Sequence, residues 1–393
     1  MKKTVTTGVS VIICLMLNSG VVLSQTSLKE HYDFLSTQKQ SPKEYLLSLY
    51  ENYDLILLCE RYHAEMTQYD FILDLIGSPE FYNQAGTIYF EIGGTHITPM
   101  ADTFFAMKNL SEDEAEIEAI KILREADSRP MWTKYTFVRL LKGMYFINSK
   151  LPNDKKLRIV FCDYPLDWSK IQVQEEYPRE FPRDSIMAST IITSFDEITR
   201  TSLRKKALAI LNAGHCYTNQ TWIKGTNIKP DWIAAGMILK KHYGNKLGNV
   251  LINSVYPSVY GEHEVLIQRG RWDAAFRMTG NKPVGFNFHN TPFGLDEFDA
   301  GDELTNLTYQ DVFTGMIWYM PIEQHVLQYN NPKFVTPDFM PEMIRRWKLS
   351  GRDLDEETIN EWYNKEEING YTNINEMNII IDQLIQEYNT SQF

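Results

Sequence analysis

Glu60 and His63 stand three residues apart, directly after the apolar run Leu55-Ile56-Leu57-Leu58-Cys59. If a helix begins there, side chains at i and i+3 share one face. A carboxylate and an imidazole so placed can work as a general acid/base pair or share a metal ion. Alone, Glu-x-x-His arises often by chance, but three further segments end in the same way. Thr87-Ile88-Tyr89-Phe90 runs into Glu91, residues 157–163 end on Asp163, and residues 207–211 lead to Asn212-Ala213-Gly214-His215. A carboxylate placed directly after apolar residues is costly to bury without a partner, and Arg61 is an ion-pair candidate for Glu91. The small residues before His215 suit an imidazole set into a crevice. Asp163 would orient a histidine or hydrogen-bond a substrate. Arg61 and Asn212 are further candidates for substrate contact, with His96 at the periphery. Gly93-Gly94 would let a ligand approach the backbone closely. Gly261-Glu262-His263 and His289-Asn290 read as structural.

Each of the four runs reads as a buried strand that delivers its polar residue at the C-terminal end. In open parallel sheets that edge is where ligands bind. Strands alternating with helical patterns predict an α/β fold, with a mostly parallel sheet flanked by helices. Ser41-Pro42 opens a helix to about Tyr53, with Ser as N-cap and Pro in the first turn. Phe71, Ile72, Leu75 and Ile76 have helical spacing, and Gly77-Ser78-Pro79 ends that helix. A helical insertion covers about 99–149, with Ser111-Glu112-Asp113-Glu114 as a capping box. Pro165, Pro178 and Pro182, with Trp168, mark an irregular stretch that would fold over the site. A helix over about 185–206 leads to the fourth strand, and another over about 231–242 precedes a strand at 250–255. Residues 265–267 and 284–288 look like short strands. The tail after Pro337 is charged and helical, with Met343, Ile344 and Trp347 facing inward. The organisation expected is a leader at 1–24, an α/β domain at 25–335 and a helical C-terminal extension at 336–393.

The chain has 393 residues and a formal charge of −12, with no basic run for nucleic acid to follow. Lys2 and Lys3 precede an apolar stretch at 9–17, and Val22-Leu23-Ser24 offers a small residue before Gln25. That is the pattern of a secretory signal peptide, so the chain is expected to be exported, periplasmic or secreted. No later segment is long and apolar enough to span a bilayer. Cys59, Cys162 and Cys216 remain after cleavage, an odd and sparse set that argues against a disulfide framework. Aromatic residues make up 13% of the chain, with 22 tyrosines, which read as half-buried packing before a glycan groove. No Gly-x-Ser-x-Gly elbow, Gly-x-Gly-x-x-Gly or phosphate loop occurs.

Glu60-Arg61-Tyr62-His63, Glu91 one strand later and then Asn212-Ala213-Gly214-His215 resemble the erythromycin esterase/ChaN-like superfamily, which includes the TIKI and TraB proteins. Tyr309-Gln310-Asp311-Val312-Phe313 before an apolar strand also looks like the end of such domains. The resemblance covers about 55–321. Cys59 stands where the family usually has Gly, and the insertion and tail are this chain's own. The resemblance implies that His63 is the base that activates water, that Glu60 and Glu91 orient or polarise, and that His215 stabilises the oxyanion or orients water. TIKI-type members are metal-dependent proteases, which would place zinc or manganese on Glu60, His63, Glu91 and His215. ChaN-type members bind haem, for which Tyr62, Tyr89 or His215 would be the ligand. The expectation is an exported hydrolase of an ester, amide or related bond, taking a small-molecule or peptide substrate. A haem- or iron-binding protein and a metal-dependent protease are the alternatives.

Overall fold

The computed structural model describes residues 26–126, 134–178, 180–219, 233–257, 263–299, 304–363 and 368–391. The leader pattern at 1–24 lies outside the described residues, as do Gly261 and Glu262.

Seven strands form the central sheet: β1 Leu55–Glu60, β2 Ala85–Gly94, β3 Arg158–Asp163, β4 Lys206–Asn212, β5 Leu247–Ile252, β6 Val284–Asn287 and β7 Gly315–Trp318. Their spatial order is β3-β2-β4-β1-β5-β7-β6. All pairings are parallel except β7 with β6. The fold is therefore α/β with a mostly parallel sheet. Register brings the polar strand ends level: Glu60 lies opposite Asn212, and Asp163 lies opposite Gly94.

Alternation along the strands feeds two apolar layers. Ile56, Leu58, Ile88, Phe90, Ile159, Phe161, Leu208 and Ile210 face one side. Leu55, Leu57, Cys59, Tyr89, Val160, Cys162, Ala207, Ala209 and Leu211 face the other. Both faces are covered, which is why these strands read as nearly unbroken apolar runs.

The longer helices are α1 Leu28–Thr37, α2 Pro42–Leu49, α3 Met66–Ile76, α4 Thr98–Ala106, α5 Glu112–Ala126, α6 Tyr135–Lys150, α7 Arg183–Thr201, α8 Ala235–Tyr243, α9 Arg271–Met278, α10 Met340–Leu349, α11 Glu356–Tyr363 and α12 Ile374–Ser391. Ser41 caps α2 in a capping box with Glu44, and Ser111 makes the same exchange with Glu114 ahead of α5. α2 stops at Leu49 instead of Tyr53, because residues 50–54 turn the chain into β1. Among the described residues, the insertion forms three helices, α4 to α6, whose apolar faces pack on the layer of Phe90 and Phe161.

One expectation about a loop changes. The close approach at Gly93-Gly94 is made by the chain itself: a Cβ on Gly94 would lie 2.4 Å from the Pro165 Cα. Gly93 has φ +107°, the left-handed region that glycine adopts freely. The stretch around Trp168 packs on the C-terminal helix α10. Trp168 is buried with Leu166 and Ile171 against Leu349 of α10, and Arg345 of α10 donates to the carbonyls of Trp168 and Ile171. The tail is built into the body: Met343 and Trp347 are buried and Ile344 packs beside them. Among the described residues, no helix is long and apolar enough to cross a membrane.

Candidate active site

β1 ends on Glu60 itself, and a turn over 61–64 separates it from α3, whose N-cap is Glu65. His63 nevertheless meets the carboxylate, with Nδ1 3.1 and 3.0 Å from the two Glu60 oxygens. Glu60 is 1% exposed. It also accepts from Gln68 Nε2 at 3.2 Å and from Asn212 Nδ2 at 3.5 Å. The imidazole is held edge-on to Phe137 of α6, and Thr136 donates to the His63 carbonyl. Burial disfavours a charge on His63, but Glu60 outweighs it and raises the imidazole above its ordinary range.

The second half of the site forms around Glu91 at the end of β2. Its Oε2 accepts the Asn212 N–H at 2.5 Å, and its Oε1 accepts from Arg183 Nη2 at 2.6 Å. His215 Nε2 lies 3.5 Å from the same Oε1. Arg183 also donates Nε to both Asp163 oxygens, at 3.0 and 2.9 Å. His215 Nδ1 lies 2.8 Å from Asp184 Oδ1, which in turn accepts the N–H of Ala235 at the start of α8. Burial pulls the His215 imidazole down, yet Glu91 and Asp184 outweigh it and raise it to about 9. Burial would push Glu91 up, but His215 and Arg183 hold it well below the usual carboxylate range. Asp163 is raised by burial, against the opposing pull of Arg183.

Asn212 joins the two halves. Its side chain donates to Glu60 and to the Arg61 carbonyl at 2.9 Å, while its N–H holds Glu91. The site thus has two imidazoles, each fixed at Nδ1 by its own carboxylate. His63 lies in the field of Glu91 and Arg183, so the halves face each other.

The fold brings Glu60, His63, Glu91, Asp163, Asn212 and His215 to one edge of the sheet. Two expected roles move. Arg61 does not pair with Glu91; its guanidinium lies 3.7 Å from the centroid of the Tyr256 ring. Asn212 is spent on bracing carboxylates. His96 is exposed on the turn after β2, beside the Glu125 backbone. Arg183 and Asp184 escaped sequence reasoning. They stand in the first turn of α7, 20 residues beyond Asp163, where an acidic residue reads simply as a helix start.

These residues do not fit a metal ion. The Arg183 guanidinium already lies between Glu91 and Asp163 and touches His215, where a divalent cation would have to sit. Among the described residues, no three His, Cys, Asp or Glu side chains are grouped to hold a metal. The haem ligands considered above are not gathered either. The Tyr62 hydroxyl donates to Glu264, Tyr89 donates to Ser194 of α7, and His215 is held by Asp184 and Glu91. Cys59, Cys162 and Cys216 are buried free thiols.

No family model matches the chain, and no curated protein matches it. Among solved structures, it is similar to a succinoglycan biosynthesis protein at 10% identity, over 74% of this chain and 96% of that one, with a TM-score of 0.49. It is similar to an erythromycin esterase variant in an open conformation at 11% identity, over 70% and 92% of the chains, with a TM-score of 0.46. A haem-binding ChaN protein of Campylobacter jejuni aligns at 12% identity, over 56% and 89%, with a TM-score of 0.32.

Proposed function

We propose that the chain is an exported hydrolase of the erythromycin esterase/ChaN-like type. It would activate water without a metal ion to cleave an ester, amide or related bond in a small-molecule or peptide substrate. The observation that carries this reading is the pair of carboxylate-backed imidazoles, His63 on Glu60 and His215 on Asp184 and Glu91, at one edge of the sheet. His63, backed by Glu60, takes a proton from water at Nε2 while the water oxygen attacks the carbonyl carbon. Glu60 offsets the charge that then develops on the ring. His215, raised to about 9, is an imidazolium at neutral pH, and its charge, beside that of Arg183, offsets the developing oxyanion through space. The proton held by His63 passes to the departing oxygen or nitrogen as the bond breaks. Arg183 keeps Glu91 ionised, and Glu91 keeps His215 charged. Export is supported by the leader pattern at 1–24.

The test is turnover of a panel of nitrophenyl esters and peptide anilides by the purified mature protein, beside His63→Ala. The variant should lose about 10²–10⁴-fold in kcat/KM with its Tm nearly unchanged. Full activity in His63→Ala would sink the proposal. The mass of the N-terminus of the same preparation tests export, since cleavage after Ser24 is expected.

A further inference from the structure

A second polar cleft lies at the opposite edge of the sheet. Tyr53 precedes β1, Asn249 is the third residue of β5, Asn287 ends the antiparallel β6 and Thr314 precedes β7. All four mark the edge where the parallel strands begin. With Gln310 and Asp311 they line a cavity of about 550 Å³.

Its floor is rigid. Asn249 donates to the carbonyls of Cys216 and Val312 and accepts from Thr314, so its amide is fully used. Two other amides are oriented but not used up. Asn287 Oδ1 accepts from the Tyr45 hydroxyl at 2.9 Å, and Gln310 Oε1 accepts the Asn290 N–H at 2.9 Å. Each carboxamide is therefore fixed by its oxygen, and its NH₂ makes no hydrogen bond among the described residues, which leaves it to donate outward. Asp311 uses Oδ2 to cap Thr308, which leaves Oδ1 as an acceptor.

The wall is an aromatic plate. Tyr53 lies over Gly248, where a Cβ would stand 3.0–3.3 Å from the ring carbons Cγ, Cδ1 and Cδ2. Only a residue without a side chain lets the ring lie so close to the strand. Tyr53 is half-buried, with the remainder of its ring on the cleft.

We propose that this cleft binds a neutral saccharide. A sugar ring has an apolar C–H face that packs on an aromatic plate, and a rim of hydroxyls that need both donors and acceptors. Tyr53 supplies the plate, Asn287 and Gln310 the donors, and Asp311 the acceptor. Lys240 and Asp311 give the lining one charge of each sign, so the cleft has no excess charge to select a phosphate or an acidic ligand. This binding site is separate from the Glu/His cluster and does not depend on the hydrolase reading.

Calorimetric titration of the full mature chain with maltohexaose, cellohexaose and chitohexaose tests it. At least one should bind with a Kd below about 1 mM. Tyr53→Ala should weaken that binding about tenfold or more, and Tyr53→Phe should keep it. The paired surface change Asn287→Ala/Gln310→Ala should weaken it as well and guards against a folding defect in Tyr53→Ala. His63→Ala should bind like the wild type. Binding of none of the three sugars, binding unchanged in the amide variant, or binding lost in His63→Ala would overturn the proposal.

Discussion

His63 and His215 are the same side chain with the same kind of partner, yet their surroundings set them apart. His63 faces one buried carboxylate pair of oxygens from Glu60, whereas His215 is flanked by Glu91 on one nitrogen and Asp184 on the other. Two nearby negative charges outweigh burial and raise His215 to about 9. Under the proposed mechanism, a neutral His63 and a protonated His215 would give a bell-shaped dependence of kcat/KM on pH. The acid limb should lie above the ordinary histidine range, because His63 is raised. The alkaline limb should fall near pH 9. In His215→Gln the alkaline limb should vanish and the rate should drop about 10²-fold. An alkaline limb that persists in this variant would assign it to another group. Glu60, His63, Glu91 and His215 were legible in the sequence because each closes an apolar run. Arg183 and Asp184 were not, because a charged first turn of a surface helix looks the same whether or not it reaches into a site.

At the scale of elements, the sheet places the carboxylates and α7 brings the cation that makes their burial tolerable. Glu91 and Asp163 are 2% and 1% exposed, on neighbouring strands, and Arg183 is the group between them. Removing one member of such a buried cluster leaves uncompensated charge and costs about 3–5 kcal/mol. Arg183→Met should therefore lower stability to urea at pH 7 by that amount with an unchanged m value. Adding Asp163→Asn to it should recover part of the loss, since one stranded carboxylate is gone. A cost below about 1 kcal/mol for Arg183→Met would show that the guanidinium is not what neutralises the pair. The four strands were legible from their apolar runs, and α7 was expected to open at Ser185. It opens at Arg183, directly after Pro182, and those two extra residues are the ones the site uses. Helix boundaries follow capping and tertiary contacts more than periodicity, so this offset was beyond the reach of pattern alone.

Over the whole molecule, alternation of strands and helices was enough to foresee an α/β fold. It did not foresee that β6 runs antiparallel to β7, because a short edge strand carries no mark of its direction. Nor did it foresee how the second half of the chain clamps the turn that carries His63. The Met66 N–H donates to the Val326 carbonyl and the Gln328 N–H to the Ala64 carbonyl, and between them sits Glu65. Glu65 is 1% exposed, caps α3 through the Gln68 N–H, and accepts from Thr67 and Tyr319. Burial raises it to about 7 in spite of those bonds. Behind it, His325 stacks on Tyr319 and is held by burial at about 4, so it brings no positive charge to Glu65 near neutral pH. A carboxyl raised in the folded state favours folding fully at pH below its unfolded value, near 4.5, and loses that contribution as pH climbs through 7. The expected loss is on the order of 2–3 kcal/mol. Glu65→Gln keeps the uncharged shape at every pH. Relative to the wild type, its stability in urea should improve by about 2 kcal/mol between pH 5 and pH 8. The titration of His215 above pH 6.5 is common to both proteins and cancels in the difference. A difference that stays constant from pH 5 to pH 8 would mean that Glu65 is ionised throughout, and that the clamp between the two halves holds a charge at its centre.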